Sequence, residues 1–231
     1  VVKTVATPDG DIMLFNCNGR HLIYRRAIKE VREIVLQKNG EENRGVVVDV
    51  KVQPSHATVV CNGCIYEIDY RTLLARLVFQ NQENDQSDIS NVVEDSHGII
   101  WACSSDELIS YDPRANKLSR IMDNRDYGVF LSMAIDSHDH LWITTDKAFM
   151  LMIDTNDKDF KEPFTYYGRD CGTKINFLPG FSLVSQKGFI YFPNTSGLLI
   201  IDPNDVNIRY NSNPYPLSHD QIGRATCRER V

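Results

Sequence analysis

The residues most able to do chemistry come in two near-copies. "DSHGIIWACSSDELISYDP" runs from Asp95 to Pro113, and "DSHDHLWITTDKAFMLMID" runs from Asp136 to Asp154. Both open on Asp-Ser-His, the three side chains of a hydrolase triad. A triad, however, gathers its members from separate places so that hydroxyl, imidazole and carboxylate line up. Three consecutive residues in a short turn do not line up that way, and the chain holds no G-x-S-x-G elbow. Turn chemistry explains the same letters: Asp and Ser bond their own backbone, and glycine tolerates positive φ. His97 and His138 are then placed facing solvent. The two copies are expected to be structural, with no catalytic residue.

Six cysteines are present, at positions 17, 61, 64, 103, 171 and 227, too scattered for a disulfide scaffold. "CNGC" (Cys61–Cys64) invites a metal or redox reading. Zinc would need a second Cys or His pair at similar spacing, and none occurs. A thioredoxin-like site would need a helix after the motif, whereas "ATVVCNGCIYEID" is strand-like on both sides of Asn-Gly. The expectation is buried or turn-flanking cysteines, no metal and no cofactor. The remaining candidates are two Arg-Asp pairs beside aromatic residues, in "MDNRDYGVF" (Met122–Phe130) and "YYGRDCGTKINF" (Tyr166–Phe177).

What positions these residues is a repeat. The anchor turn–G–apolar–apolar–aromatic recurs as "DSHGIIW", "DSHDHLW" and "SQKGFIY" (Ser185–Tyr191), and more weakly as "TPDGDIM" (Thr7–Met13) and "QPSHATV" (Gln53–Val59). Trp142 follows Trp101 by 41 positions, and the closing aspartates Asp69, Asp112, Asp154 and Asp202 are 43, 42 and 48 apart. Within a unit the grammar is all β. "NVVED", "IIWACS", "ELISYD" and "KLSRIMD" are short strands split by Gly, Asp-Pro and polar turns. Four short antiparallel strands per unit of about 45 residues describe a β-propeller blade.

The expected fold is therefore all-β, with about five four-stranded sheets at 1–45, 46–88, 89–129, 130–176 and 177–210. Trp101, Trp142 and Tyr191 should hold equivalent places on each second strand, packed between neighbouring blades. One segment dissents: "AIKEVREIVLQKNGEENRG" spaces Ile28, Val31, Ile34 and Val35 as an amphipathic helix would. Repeat context makes it an outer strand. The last residues, 218–231, fit no strand and read as a disordered or added tail.

Composition bounds the partners. The chain has 231 residues, 42% of them apolar, enough for a real core. A net charge of −6 lacks the clustered Lys and Arg of a nucleic-acid surface, so no nucleic-acid partner is expected. No apolar run is long enough to span a membrane as a helix, and no signal-peptide pattern is present. The opening "VVKTVATPDGD" already reads as a strand entering a turn, as in a piece of something longer.

At these residues the sequence resembles a known family. "VVEDSHGIIWACSSDELISYDPRANKLSRI" and "MAIDSHDHLWITTDKAFMLMIDTNDKDFKEPFTYY" resemble the two-component-regulator propeller repeat, and "GFIYFPNTSGLLIIDPNDV" resembles its last blade. The chain departs from that pattern after each Trp, where Ala102-Cys103-Ser104 and Ile143-Thr144-Thr145 lack the usual glycine. It departs again at Glu107-Leu108 and Lys147-Ala148, leaving Gly197-Leu198 as the one kept Gly-Leu step.

The resemblance implies the periplasmic sensor region of a bacterial hybrid two-component system, often seven-bladed, leading through a membrane helix to a histidine kinase. Many members detect oligosaccharides. This chain would then be a non-enzymatic signal-input module, a fragment of a larger ring whose end blades expose apolar faces. Its partners would be an oligosaccharide and the remaining blades, with a second copy of itself as a further candidate and the membrane reached only through flanking regions. Alternatives are a protein-binding scaffold, or a lyase or hydrolase on a propeller.

In a propeller, the connection from one blade's outer strand to the next blade's inner strand shares a face with the second-to-third-strand turns. That grammar puts Arg125, Asp126 and Tyr127, with Tyr167, Arg169 and Asp170, where a sugar could meet aromatic faces and charged hydrogen-bonders. The plainer reading of each Arg-Asp pair is a solvated or salt-bridged loop.

Overall fold

A computed structural model describes residues 3–80, 89–104, 106–147, 150–157, 163–167, 176–195 and 197–204. The tail expected at 218–231 lies outside the described residues. Among those described there are strands and turns and no helix, and none is therefore long and apolar enough to cross a membrane.

The strands fall into five antiparallel meanders in which spatial order follows chain order. The first holds β1 (Lys3–Ala6), β2 (Ile12–Phe15), β3 (His21–Arg25) and β4 (Glu30–Ile34). A small two-stranded ribbon, β5 (Gln37–Lys38) and β6 (Glu41–Glu42), follows it. The second meander holds β7 (Val47–Val52), β8 (His56–Cys61), β9 (Cys64–Asp69) and β10 (Ala75–Gln80). The third holds β11 (Asn91–Glu94), β12 (Ile100–Cys103), β13 (Glu107–Asp112) and β14 (Lys117–Asp123). The fourth holds β15 (Phe130–Ile135), β16 (His140–Thr145), β17 (Met150–Asp154) and β18 (Phe164–Tyr167). The fifth has three described strands, β19 (Leu183–Val184), β20 (Ile190–Asn194) and β21 (Gly197–Ile201), with an isolated bridge from Phe177 to Asn194. These are propeller blades.

The helical spacing of 28–35 yields to strand pairing. β4 runs against β3 with Tyr24 opposite Val31 and His21 opposite Ile34. Ile34 and Leu36 go into the core, while Ile28 and Val31 stay more than half exposed. The ribbon that follows was not legible in the repeat; it is an insertion in the first unit.

The chain divides into two compact units. Unit 1 comprises 1–93, 100–104 and 109–120. Its core packs Met13, Phe15 and Ile23 of the first sheet against Val59, Tyr66 and Ile68 of the second. Val60 and Ile65, on the second sheet's other face, pack against Val92, Ile100, Ile109 and Tyr111. Alternation along each strand, one face to each neighbour, is why these strands read as near-continuous apolar runs.

Unit 2 comprises 94–99, 105–108 and 121–231. Its core packs Ala134, Trp142, Met150 and Met152 of the fourth sheet against Ile190, Phe192, Leu199 and Ile201 of the fifth. Trp142 is fully buried and Trp101 is 6% exposed, both on second strands as expected. Tyr191 holds the same repeat position but is only half-buried.

Two further repeat devices emerge. The first strands β7 and β15 each carry a bulge before their third residue, between Val47 and Asp49 and between Phe130 and Ser132. The residue after each bulge is a buried polar group that pins a later segment. Asp49 accepts from Val92 N at 2.9 Å, with Lys3 and Lys51 at 3.6 and 3.7 Å. Ser132 Oγ donates to Leu178 O at 3.0 Å and accepts from Phe181 N at 3.1 Å.

Candidate functional site

Both Asp-Ser-His segments form the turn between first and second strands, and the same turn recurs with other letters. The amide of residue i+4 donates to the side-chain oxygen of residue i from Asp11 to Thr7, Ile99 to Asp95, His140 to Asp136 and Phe189 to Ser185. The fourth residue of the turn has positive φ in every case: Gly10 (82°), Gly98 (78°), Asp139 (62°) and Gly188 (83°). Asp139 stands where its counterparts are glycine, a conformation strained for a residue with a Cβ.

Its side chain gives a reason. Asp139 accepts from Ser96 N at 2.9 Å and from Ser96 Oγ at 2.5 Å, clasping the preceding repeat's turn. A Ser-His-Asp group therefore does assemble, from Ser96, His97 and Asp139, but its geometry is wrong for a nucleophile. The hydroxyl donates straight to the carboxylate. His97 Nδ1 stands 3.5 Å from Ser96 Oγ and 3.6 Å from Asp139 Oδ2, so one nitrogen faces both groups at lengths too long for a relay.

The second copy differs. Asp136 Oδ1 accepts from the His138 and His140 amides, each at 2.9 Å. Its Oδ2 lies 3.0 Å from His140 Nδ1 and accepts from Trp142 Nε1 at 3.0 Å. The His138 and His140 rings stack with centroids 5.8 Å apart. Asp136 is buried, His140 half-buried and His138 exposed. This Asp-His-His group was missed at the sequence level, where His138 was assigned to solvent and His140 was not singled out.

The cysteine pair is a hairpin. Cys61 and Cys64 face each other across Asn62 and Gly63, both with positive φ, the form a two-residue turn demands. Both cysteines are buried and free. Burial, together with the neighbouring Cys64, pushes the Cys61 thiol up to about 11, and burial pushes Cys103 up to about 12. Neither is a nucleophile near neutral pH.

The loop residues are placed unevenly. Arg125 and Asp126 are exposed in the turn after β14, and Tyr127 is half-buried. Arg125 Nε pairs with Asp123 Oδ2 at 3.0 Å, across its own turn. Tyr167 lies at the end of β18, opposite Met150. Arg169 and Asp170 lie outside the described residues. The connection is fastened from the second-to-third-strand turn of the fourth sheet: Asp146 Oδ1 accepts from Val129 N at 2.9 Å, and Lys147 Nζ donates to Arg125 O at 3.2 Å.

Unit 1 has an analogous fastening. Asn62 Nδ2 donates to Asn43 Oδ1 at 3.0 Å, and Asn43 Nδ2 donates to Tyr66 Oη at 2.8 Å. Beside it, at the β2–β3 turn, opens a cleft of about 390 Å³ between Arg20, Glu33, Glu42 and Arg44, floored by Ile34 and Leu36. Arg20 pairs with Glu33 and Arg44 with Glu42, all of them substantially exposed.

Blades, bulges and turns together define the class of protein: an all-β propeller-repeat chain. No family model and no curated protein matches it, so the likeness of its repeats to the two-component-regulator family rests on the quoted motifs. Among solved structures it is similar to virginiamycin B lyase from Staphylococcus aureus (TM-score 0.64, 11% identity, 87% of this chain and 70% of that one). It is as similar to the extracellular domain of a putative hybrid two-component system from B. thetaiotaomicron (TM-score 0.64, 15% identity), covering 86% of this chain and 27% of that one. A second such domain from the same organism gives a TM-score of 0.58 at 13% identity, covering 87% and 33%. The chain thus spans about a third or less of those extracellular domains. At these identities the likeness establishes the propeller fold.

Proposed function

We propose that this chain is part of the ligand-sensing propeller of an extracytoplasmic, periplasmic receptor of the bacterial hybrid two-component type. In that reading it detects a glycan-derived oligosaccharide and relays occupancy to a histidine kinase outside this chain. The observation that carries the reading is its propeller fold, shared with two extracellular domains of such systems, together with sequence repeats that resemble the two-component-regulator propeller repeat. The local chemistry supports it. The Arg125 guanidinium is engaged in an exposed pair with Asp123, and such pairs are worth little and exchange readily for a ligand's hydroxyls or carboxylate. Arg125, Asp126 and Tyr127, with Tyr167, Arg169 and Asp170, are the residues proposed to contact the sugar.

A lyase is the second reading, favoured by the equal similarity to virginiamycin B lyase. One experiment separates the two. The purified chain is titrated by calorimetry with acidic and neutral oligosaccharides, alongside assays for bond cleavage. Saturable binding without turnover, lost when Arg125 and Arg169 are both replaced by Ala, is the expected result. Turnover of any member of the panel establishes the lyase or hydrolase reading, and unchanged affinity in the double variant moves the site away from these loops.

A further inference from the structure

We propose that Asp136, His138 and His140 form a binding site for a first-row transition-metal ion of the zinc type, at the first-to-second-strand turn of the fourth sheet. One ligand atom from each residue lies within 4.8 Å of the others. Asp136 Oδ2 and His140 Nδ1 already stand 3.0 Å apart. Two donors bound to one ion at about 2.0–2.2 Å stand on the order of 3 Å from each other, so this edge of the coordination sphere is preformed. His138 supplies the third donor from an exposed ring stacked on that of His140, its ligand atom already within 4.8 Å of the other two. Imidazole and carboxylate donors suit zinc, copper, nickel or iron(II), with water completing the sphere.

The site is held as a metal site needs to be. The His138 and His140 amides grip Asp136 Oδ1, and the Trp142 indole donates to Oδ2, fixing the carboxylate from behind as outer-shell partners do. The turn itself is braced from the β17 end: Thr155 N and Oγ1 donate to Asp139 O at 3.1 and 2.8 Å. On binding, the ion takes the place of the proton between His140 Nδ1 and Asp136 Oδ2. The neutral imidazole then carries its single hydrogen on Nε2, so the change at His140 is one of tautomer and no net proton has to be released.

The alternative is that Asp136 does no more than its counterparts in the other turns, which shape the backbone. The repeat provides the control. Asp95 makes the same two backbone contacts, to His97 N and Ile99 N, each at 2.9 Å. But isoleucine occupies position 99, where the fourth sheet has His140. Turn-making needs only an accepting side chain at the first position, supplied elsewhere by Thr7, Asp95 and Ser185. His138 has a counterpart in His97; what this turn adds is His140, which pairs with the Asp136 carboxylate and stacks on His138.

The test uses the whole chain, free of any affinity tag and with its thiols blocked by alkylation. Zinc is titrated by calorimetry, and cobalt(II) by its visible ligand-field spectrum. One equivalent is expected to bind. His140→Ile, which installs the residue of the preceding repeat, and His138→Ala, at an exposed position, should each abolish that equivalent, while His97→Ala leaves it intact. Circular dichroism and melting confirm that the variants fold. No saturable equivalent at millimolar zinc in the parent overturns the proposal, as does an equivalent that survives both His138→Ala and His140→Ile.

Discussion

Both ring nitrogens of His21 lie in the core, the ring 5.4 Å from that of Phe15, with no hydrogen-bond partner among the described residues. Burying an imidazole without a partner opposes folding, and protonating it there opposes folding further. Burial accordingly holds its pKa below the usual value near 6.5. The sign follows from proton counting: below the unfolded value the unfolded chain takes up a proton that the folded chain refuses. Stability from this residue is therefore complete above about pH 6.5 and is lost as pH falls toward the depressed folded value, with a limiting slope of about 1.4 kcal/mol per pH unit. His21→Leu fills a similar space with no polar atom. Urea unfolding at pH 7.5 and 5.5 should show a smaller loss of stability on acidification in the variant than in the parent. Equal losses would place the acid sensitivity elsewhere, in the carboxylate turns.

At the scale of elements, connections are fastened to neighbouring turns, and Gly128 shows how tightly. Its φ is +86°, and a Cβ there would come 2.2 Å from Asp146 Oδ1 and 2.7 Å from Lys147 Cγ. Gly188 has nearly the same φ, +83°, but nothing within 4 Å of such a Cβ. Gly188→Ala should therefore cost only the left-handed backbone term, about 1–2 kcal/mol. Gly128→Ala should cost more, because the Asp146–Val129 fastening must also yield. Paired denaturant curves check this; equal costs would mean that the fastening shifts freely.

The same fastenings mark what the sequence could and could not tell. Blade count, the turn at each Asp-Ser-His and the Asn62-Gly63 hairpin were legible, because they follow from period, β-propensity and local turn chemistry. The strand at 30–34 was legible only through the repeat, against its own helical spacing. Asp139 clasping Ser96, Asn43 meeting Asn62, and Asp49 reaching Val92 were not. Each joins residues 19 to 43 positions apart, and such pairings depend on how strands and connections register, which no local pattern encodes. The Asp-His-His group was hidden for a related reason. His140 begins a strand, and only the curl of the turn brings its ring back onto Asp136.

For the molecule as a whole, the question is what covers the two terminal sheets, each taken by itself. Trp142 buries its ring against Ile190, Phe192 and Ile201 of the next sheet in unit 2. Tyr191, at the same repeat position one sheet later, looks to the side where a following sheet would lie. Strand register puts Leu183 of β19 and Ile200 of β21 beside it on that face; Leu183 is 62% exposed, and Leu198, on the same strand as Ile200, is 47% exposed. In unit 1, the face of the first sheet turned away from Met13 and Ile23 carries Ile12 at 38% and Val31 at 58% exposure. Soluble proteins rarely leave apolar faces of this kind uncovered. Further blades of the same repeat are the covering proposed for both, consistent with a chain that spans only 27% and 33% of the two-component extracellular domains it resembles. Expressed alone, the chain should then self-associate with concentration and bind the dye ANS. Replacing Leu183 and Leu198 together by Lys should weaken both effects without lowering the melting temperature, because neither residue belongs to the Trp142 cluster. Sedimentation velocity reads the first effect and fluorescence the second. A parent chain that stays monomeric at high concentration and binds no dye would falsify the idea that these faces await further blades.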